Sequence, residues 1–83
     1  MRFIAEIDVM PKKELLDPQG KAVGAGMMNM GLAEIGNVRI GKHISLEIEA
    51  ENAEAARGKV DTACAKLLAN PIMENYHFEV RPA

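Results

Sequence analysis

Carboxylates at Glu6, Asp8, Glu47, Glu49 and Glu79 fall at alternating positions of strand-like runs. A set of oxygen ligands projecting from one sheet face is an arrangement that can hold Mg²⁺. Arg2, Arg39 and Arg81 stand at similar alternations, however, so a solvated, charge-balanced face is the simpler reading. His43 and His77 lack the short spacing of local metal motifs and read as surface or interface residues. The single cysteine, Cys64, lies on the apolar stripe of a helix, where a buried thiol is inert rather than nucleophilic. Gly20-Lys21-Ala22 is not a phosphate-binding loop, because the upstream glycine and the following Ser or Thr are missing. With no nucleophile, base or metal cluster gathered by spacing, the residues alone describe a small interaction or regulatory domain.

The elements that would position these groups are legible from periodicity. In Asn37 to Ala50 the apolar residues Val38, Ile40, Ile44, Leu46, Ile48 and Ala50 keep one parity, the signature of a half-buried strand, with only Lys42 breaking the row. A tight Gly41-Lys42 hairpin would put the two apolar sets on opposite faces. A three-residue loop over Gly41 to His43 or one long bent strand keeps them together. A continuous strand at about 3.3 Å per residue would span roughly 46 Å, too long for one small core, so an unbroken strand would reach into a second copy.

Residues 2–10 predict a first strand with Phe3, Ala5, Ile7 and Val9 on one face. Asp17-Pro18 predicts a helix start, the carboxylate capping free N–H groups and Pro taking the first helical position. That helix should run to Met30 and stop at Gly31, with Ala22, Val23, Met27 and Met30 as its stripe. Its glycines at 20, 24 and 26 weaken it in isolation and make it dependent on tertiary or partner contacts, where they permit close packing. A second helix should begin at Asn52, carry Ala53, Ala56, Val60, Ala63, Cys64, Leu67 and Leu68 inward, and end at Asn70-Pro71. Tyr76, Phe78 and Val80 predict a last strand. The order is that of an α+β, ferredoxin-related two-layer sandwich, β-α-β(β)-α-β, with two helices on one face of an antiparallel sheet.

The chain has 83 residues, enough for one domain spanning 1–83 with a limited core. Its apolar content of 48% excludes a disordered chain, and Phe3, Tyr76 and Phe78 are its three aromatics. A formal net charge of −2 argues against nucleic acid as a partner. The lone cysteine points to a reducing compartment, and with no apolar run of membrane-spanning length and a charged first strand the expectation is a cytoplasmic protein without a membrane anchor.

Several runs taken together resemble one family. They are Leu16-Asp17-Pro18-Gln19-Gly20-Lys21-Ala22-Val23, Val38-Arg39-Ile40-Gly41-Lys42, Leu46-Glu47-Ile48-Glu49-Ala50, Leu67-Leu68-Ala69-Asn70-Pro71-Ile72 and Tyr76-His77-Phe78-Glu79-Val80. Their order and spacing closely resemble the PurS family, the small subunits of phosphoribosylformylglycinamidine synthase. The stretch Pro11 to Leu15 departs from the turn expected there, and Leu32 stands near an expected aromatic.

The resemblance implies a non-catalytic adaptor in purine synthesis that brings a large synthetase subunit and a glutaminase subunit together and assists ammonia transfer. The complex so formed makes formylglycinamidine ribonucleotide from formylglycinamide ribonucleotide, glutamine and ATP. It further implies a homodimer or tetramer, segment-swapped through residues 37–50. No cofactor is expected on this chain alone, ATP and Mg being used by the complex. Asp17, Pro18, Gln19, Gly20, Arg39, Gly41, Lys42, Asn70 and Pro71 are the expected partner-contact or structural positions, with no catalytic or metal-binding residue among them. The other reading, of a different class, is a small-molecule-sensing regulatory domain of ferredoxin-like fold.

Overall fold

A computed structural model describes all 83 residues, Met1–Ala83. Strand β1 (Arg2–Pro11) is followed by helix α1 (Pro18–Asn29), strand β2 (Lys42–Glu49), helix α2 (Ala53–Ala63) and strand β3 (Glu74–Pro82). The sheet has the order β2-β1-β3, with β1 antiparallel to both neighbours. Alternation sets the register. Phe3, Ala5 and Ile7 lie opposite Ile48, Leu46 and Ile44 of β2, and Ala5, Ile7 and Val9 lie opposite Val80, Phe78 and Tyr76 of β3. One face of the sheet is therefore apolar across all three strands.

Helix α2 covers that face. Asn52 caps it, its side-chain oxygen accepting from the Ala55 N–H at 2.8 Å, and Ala56, Val60 and Cys64 are buried against Phe3, Ala5, Ile7 and Val9. The helical path continues from Cys64 to Leu68 as a widened π turn, with the Ala69 N–H bonded to the Cys64 carbonyl at 3.0 Å. The extra residue rephases the stripe: Ala69 is buried, while Leu67, expected inward from helical spacing, is 81% exposed. Burial pushes the Cys64 thiol up, and the nearby Asp61 carboxylate adds to the shift.

The run from Asn37 to Ala50 is not one strand. Only Lys42–Glu49 is extended and paired; residues 37–41 form an irregular segment, with Asn37 in the left-handed region at φ 54°. The parity is kept where the strand exists, since Ile44, Leu46 and Ile48 all face the core. Val38 and Ile40 leave the sheet and turn back toward the start of α1. The additional strand bracketed in the expected order does not form within this chain.

Helix α1 has the predicted limits, with Gly31 at φ +81° just beyond it, but it makes no extended packing with any other element. A Cβ at Gly24 or Gly26 would meet nothing within 4 Å, so the close packing expected of these glycines is not supplied by the same chain. The shape follows from this. The radius of gyration is 16.3 Å, against about 12 Å for a compact chain of this length.

The second face of the sheet is polar and cross-linked. His43 stands between two carboxylates, its Nδ1 2.7 Å from Asp8 Oδ1 and its Nε2 2.9 Å from Glu6 Oε1. Both ring nitrogens face acceptors, and only the imidazolium carries an N–H on each. Arg81 Nη1 donates to the other Glu6 oxygen at 3.2 Å, so the network joins all three strands. Glu47 and Glu49 are taken up by Arg2 at 2.7 and 3.7 Å. The bonds to Asp8 and then Glu6 raise the His43 pKa, and the bond from His43, followed by those from Ser45 and Arg81, lowers that of Glu6. A raised histidine pKa contributes stability that is complete below its unfolded value, about 6.5, and lost as pH rises through the folded value. The lowered Glu6 acts at the other end, its contribution vanishing as pH falls through the carboxylate range. Urea midpoints of the wild type should therefore begin to decline as pH rises past about 6.5, and His43→Gln should flatten the limb between there and about pH 8, the range below the raised Cys64 thiol; an unchanged decline over that window in the variant would contradict the clamp.

Candidate functional site

The sequence motifs converge at one end of the molecule, and Asp17 is the residue that joins two of them. Its carboxylate lies just ahead of Pro18, the first residue of α1. Oδ1 accepts the Gly20 N–H at 3.0 Å, as an N-cap should, and Oδ2 accepts the Ile40 N–H at 2.9 Å. One side chain thus caps a helix and pins the segment that leads into β2. The bonds from Gly20 and then Ile40, with the charge of Arg39 adding to them, hold the carboxyl below its usual range.

Gly20 is required by the same junction. It is the one buried residue of α1, and a Cβ there would fall on the Val38 carbonyl oxygen. Gly41 has an equivalent role at the other end of the segment, where a Cβ would meet the Val9 carbonyl oxygen and the Met10 sulfur. Backbone approaches this close admit only glycine. The path from Val38 to Lys42 is consequently defined at three points: Gly20 below it, Asp17 bonded to its middle, and Gly41 at its entry to the sheet. Lys42 follows as the first residue of β2, opposite Val9, with an exposed side chain.

Asn70 and Pro71 shape the turn into β3. The Asn70 N–H donates to Glu74 Oε1 at 2.7 Å, its side-chain oxygen accepts the Ile72 N–H at 3.0 Å, and its carbonyl accepts the N–H groups of Met73 and Glu74. The Lys12 N–H, just past β1, bonds the Met73 carbonyl at 2.9 Å and brings this turn beside the β1–α1 loop. Of the nine expected positions, Asp17, Gly20, Gly41 and Asn70 thus have an architectural reason in this chain. Pro18 starts the helix, while Gln19 and Pro71 are exposed and Arg39 is half-buried beside Asp17.

Two open clefts run along this end. Leu15, Leu16, Pro11, Asn70 and Met73 line the first, with Glu74. Lys13, Asp17, Lys21 and Arg39 line the second together with Leu15, Leu16, Asn37 and Val38. At about 220 and 250 Å³, each falls below the roughly 300 Å³ at which small-molecule pockets begin. Lys13, Leu15, Leu16 and Lys21 were not singled out from sequence as contact positions. The available signal was the pair Leu15-Leu16, two large apolar residues in a loop with no periodic partner to bury them; Leu16 is 67% exposed.

Fold and site together define a small ferredoxin-like α+β protein whose distinctive residues shape one end rather than assemble a reaction centre. Residues 4–82 match the family model PurS: Phosphoribosylformylglycinamidine (FGAM) synthase. The PurS subunit of Synechocystis sp. is 43% identical over 78 residues, covering 94% of this chain and 78% of that protein, and the PurS subunit of Thermotoga maritima is 40% identical over 79 residues, covering 95% and 94%. Among solved structures, a chain in PurLQS from Thermotoga maritima superposes with a TM-score of 0.89 at 34% identity, covering 98% of this chain and 99% of that one. PurS from Bacillus subtilis gives 0.86 at 38% identity, covering 95% and 98%. The chain belongs to the PurS family and is a PurS subunit of FGAM synthase, a ligase of purine biosynthesis.

The junction at Gly20 gives a direct test of the local geometry. Gly20→Ala removes no hydrogen-bonding group and improves intrinsic helix propensity, yet it forces Val38 away from α1. Overpacking of this kind costs about 1–3 kcal/mol, so chemical denaturation should show a loss in that range. Gly58→Ala, on the exposed side of α2 where a Cβ would meet nothing within 4 Å, should be neutral or stabilising. Equal effects of the two substitutions would contradict the Val38–Gly20 contact.

Proposed function

We propose that this chain is the non-catalytic adaptor of the synthase, bringing the glutaminase and synthetase subunits together and assisting transfer of ammonia between them. The observation that carries this reading is the superposition on a chain of PurLQS over nearly the full length of both. The shape is consistent with such a role, since the residues that set this chain apart organise loops and surface instead of a reaction centre. In this reading ATP and Mg are used by the complex and no cofactor is held by the adaptor alone. The assembly works in the cytoplasm; no helix of this chain is long and apolar enough to cross a membrane.

The adaptor acts as a homodimer or tetramer. Support comes from α1, which has an apolar stripe and glycines open to close approach but no partner in its own chain. The exchange between copies runs through residues 37–50, the region singled out by its parity. Gly41 is its bend.

Size-exclusion chromatography of the purified chain mixed with the synthetase and glutaminase subunits, with light scattering for mass, tests both parts. The expected outcome is a three-component complex and, for the chain by itself, a mass of two or four copies. Elution of the chain apart from both other subunits under turnover conditions would contradict the adaptor reading, and a monomer in dilute solution would contradict the exchange.

A further inference from the structure

We infer that His43 is a proton-dependent latch on the exchange of residues 37–50 between copies: as an imidazolium it holds β2 on β1, and loss of that proton lets the strand leave its sheet faster. The inference rests on the reading that copies exchange this region, and it adds what governs the exchange.

Position gives the side chain this role. β2 lies at the edge of the sheet, and β1 is the one strand it pairs with. To pass to another copy it has to part a single ladder. His43 is the second residue of β2, two positions beyond the bend at Gly41, and its partner across the ladder is Asp8. From there the ring reaches along β1 as well as across to it, with Nδ1 2.7 Å from Asp8 Oδ1 and Nε2 2.9 Å from Glu6 Oε1. A strand that peels away from its Gly41 end meets this double tie at once.

The tie depends on a proton. In the imidazolium each ring nitrogen donates to a carboxylate, and both bonds are charge-assisted. The neutral ring has one N–H, so in either tautomer its other nitrogen turns a lone pair toward a carboxylate oxygen and one tie is lost. Around the cluster, β3 places His77 opposite Asp8 and Glu79 opposite Glu6, while Arg81 bonds the second Glu6 oxygen at 3.2 Å. Ser45, opposite Glu6 on β2, also bonds that carboxylate. Arg2 and the Met1 ammonium take up Glu47 and Glu49 at the far end of β2. The bonds to Asp8 and then Glu6 raise the His43 pKa, so the latch is closed below the ordinary value of about 6.5 and opens as pH rises through the raised one.

The latch acts on rate and not on equilibrium. After exchange, β2 lies on β1 of the other copy in the same register, and His43 meets the equivalent pair of carboxylates there. The two end states hold the same bonds, whereas the detached strand between them holds neither. An interaction absent from the transition state raises the barrier to leaving. The His43, Asp8 and Glu6 side chains are 54%, 61% and 30% exposed, so the effect is moderate and salt weakens it.

The test mixes heavy-isotope and unlabelled full-length chain and follows the appearance of mixed-mass oligomers by native mass spectrometry. The wild type should mix roughly two- to fivefold faster at about pH 8 than at about pH 6, and added salt should narrow the difference by speeding exchange at the lower pH. His43→Gln should exchange fast at both values. His43→Lys, which keeps a cation between the two carboxylates, should exchange slowly at both. His77→Gln and Glu49→Gln should keep the wild-type pH ratio. If His43→Gln fails to fold, His43→Lys and the salt dependence of the wild type decide the matter.

Oligomers that mix at one rate at both pH values, or that do not mix, would overturn the latch and leave the oligomer itself standing. A wild-type pH ratio retained in His43→Gln would also overturn it, as would loss of that ratio in His77→Gln or Glu49→Gln, which would assign the proton elsewhere. An oligomer mass that changes between the two pH values would place the effect on the equilibrium and contradict the inference. A monomer at both would defeat the exchange reading, and the latch with it.

Discussion

Strand β1 is paired on both sides, and that single placement constrains the rest of the molecule. Its odd side chains Phe3, Ala5, Ile7 and Val9 are essentially removed from solvent, and they are the floor on which α2 lies and against which the inner residues of both edge strands pack. Its even side chains supply Glu6 and Asp8 to the other face, where His43 and Arg81 draw β2 and β3 to the same strand through charge-assisted bonds. A three-stranded sheet with one covering helix buries little surface. The helix and the loops that do not contribute to that core are therefore available for contact with other chains.

The way the α1 end is built follows from that shortage of core. With no packing partner in its own chain, α1 depends on its N-terminal junction for position. Asp17 bonds forward to Gly20 and across to Ile40, and Gly20 lets the Val38 backbone come against the helix. The loop entering β3 is tied in separately through Lys12 and Met73. Polar backbone bonds thus fix the geometry of a surface that apolar burial does not. Leu15 and Leu16 stay exposed on the two clefts whose walls are set this way.

Much of the fold was legible because alternation and capping are local signals. The parity of Phe3 to Val9 and of Ile44 to Ile48, the cap at Asn52 and the Asp17-Pro18 helix start all hold as read. The failures have physical causes. Val38 and Ile40 continue the parity of β2, but a half-buried loop can carry apolar residues at the same spacing, and the requirement for Gly41 beside Val9 became visible only in three dimensions. Leu67 fits a 3.6-residue period that the π turn shifts by one residue. At the candidate site the motif residues were found, but the way they join was not, because the Asp17–Ile40 bond spans positions far apart in sequence. Histidine 43 was equally opaque: nothing local in the sequence announces that Glu6 and Asp8 will stand on either side of it.

The central claim is that this chain contributes coupling and no chemistry, and reconstituted activity tests it most directly. Synthetase and glutaminase subunits are assayed for formylglycinamidine ribonucleotide formation, with ATP and Mg, once with glutamine and once with ammonium as the nitrogen source, in the presence and absence of this chain. The account predicts that omitting the chain abolishes most of the glutamine-dependent rate and leaves the ammonium-dependent rate largely intact. Full glutamine-dependent synthesis without it would contradict the account.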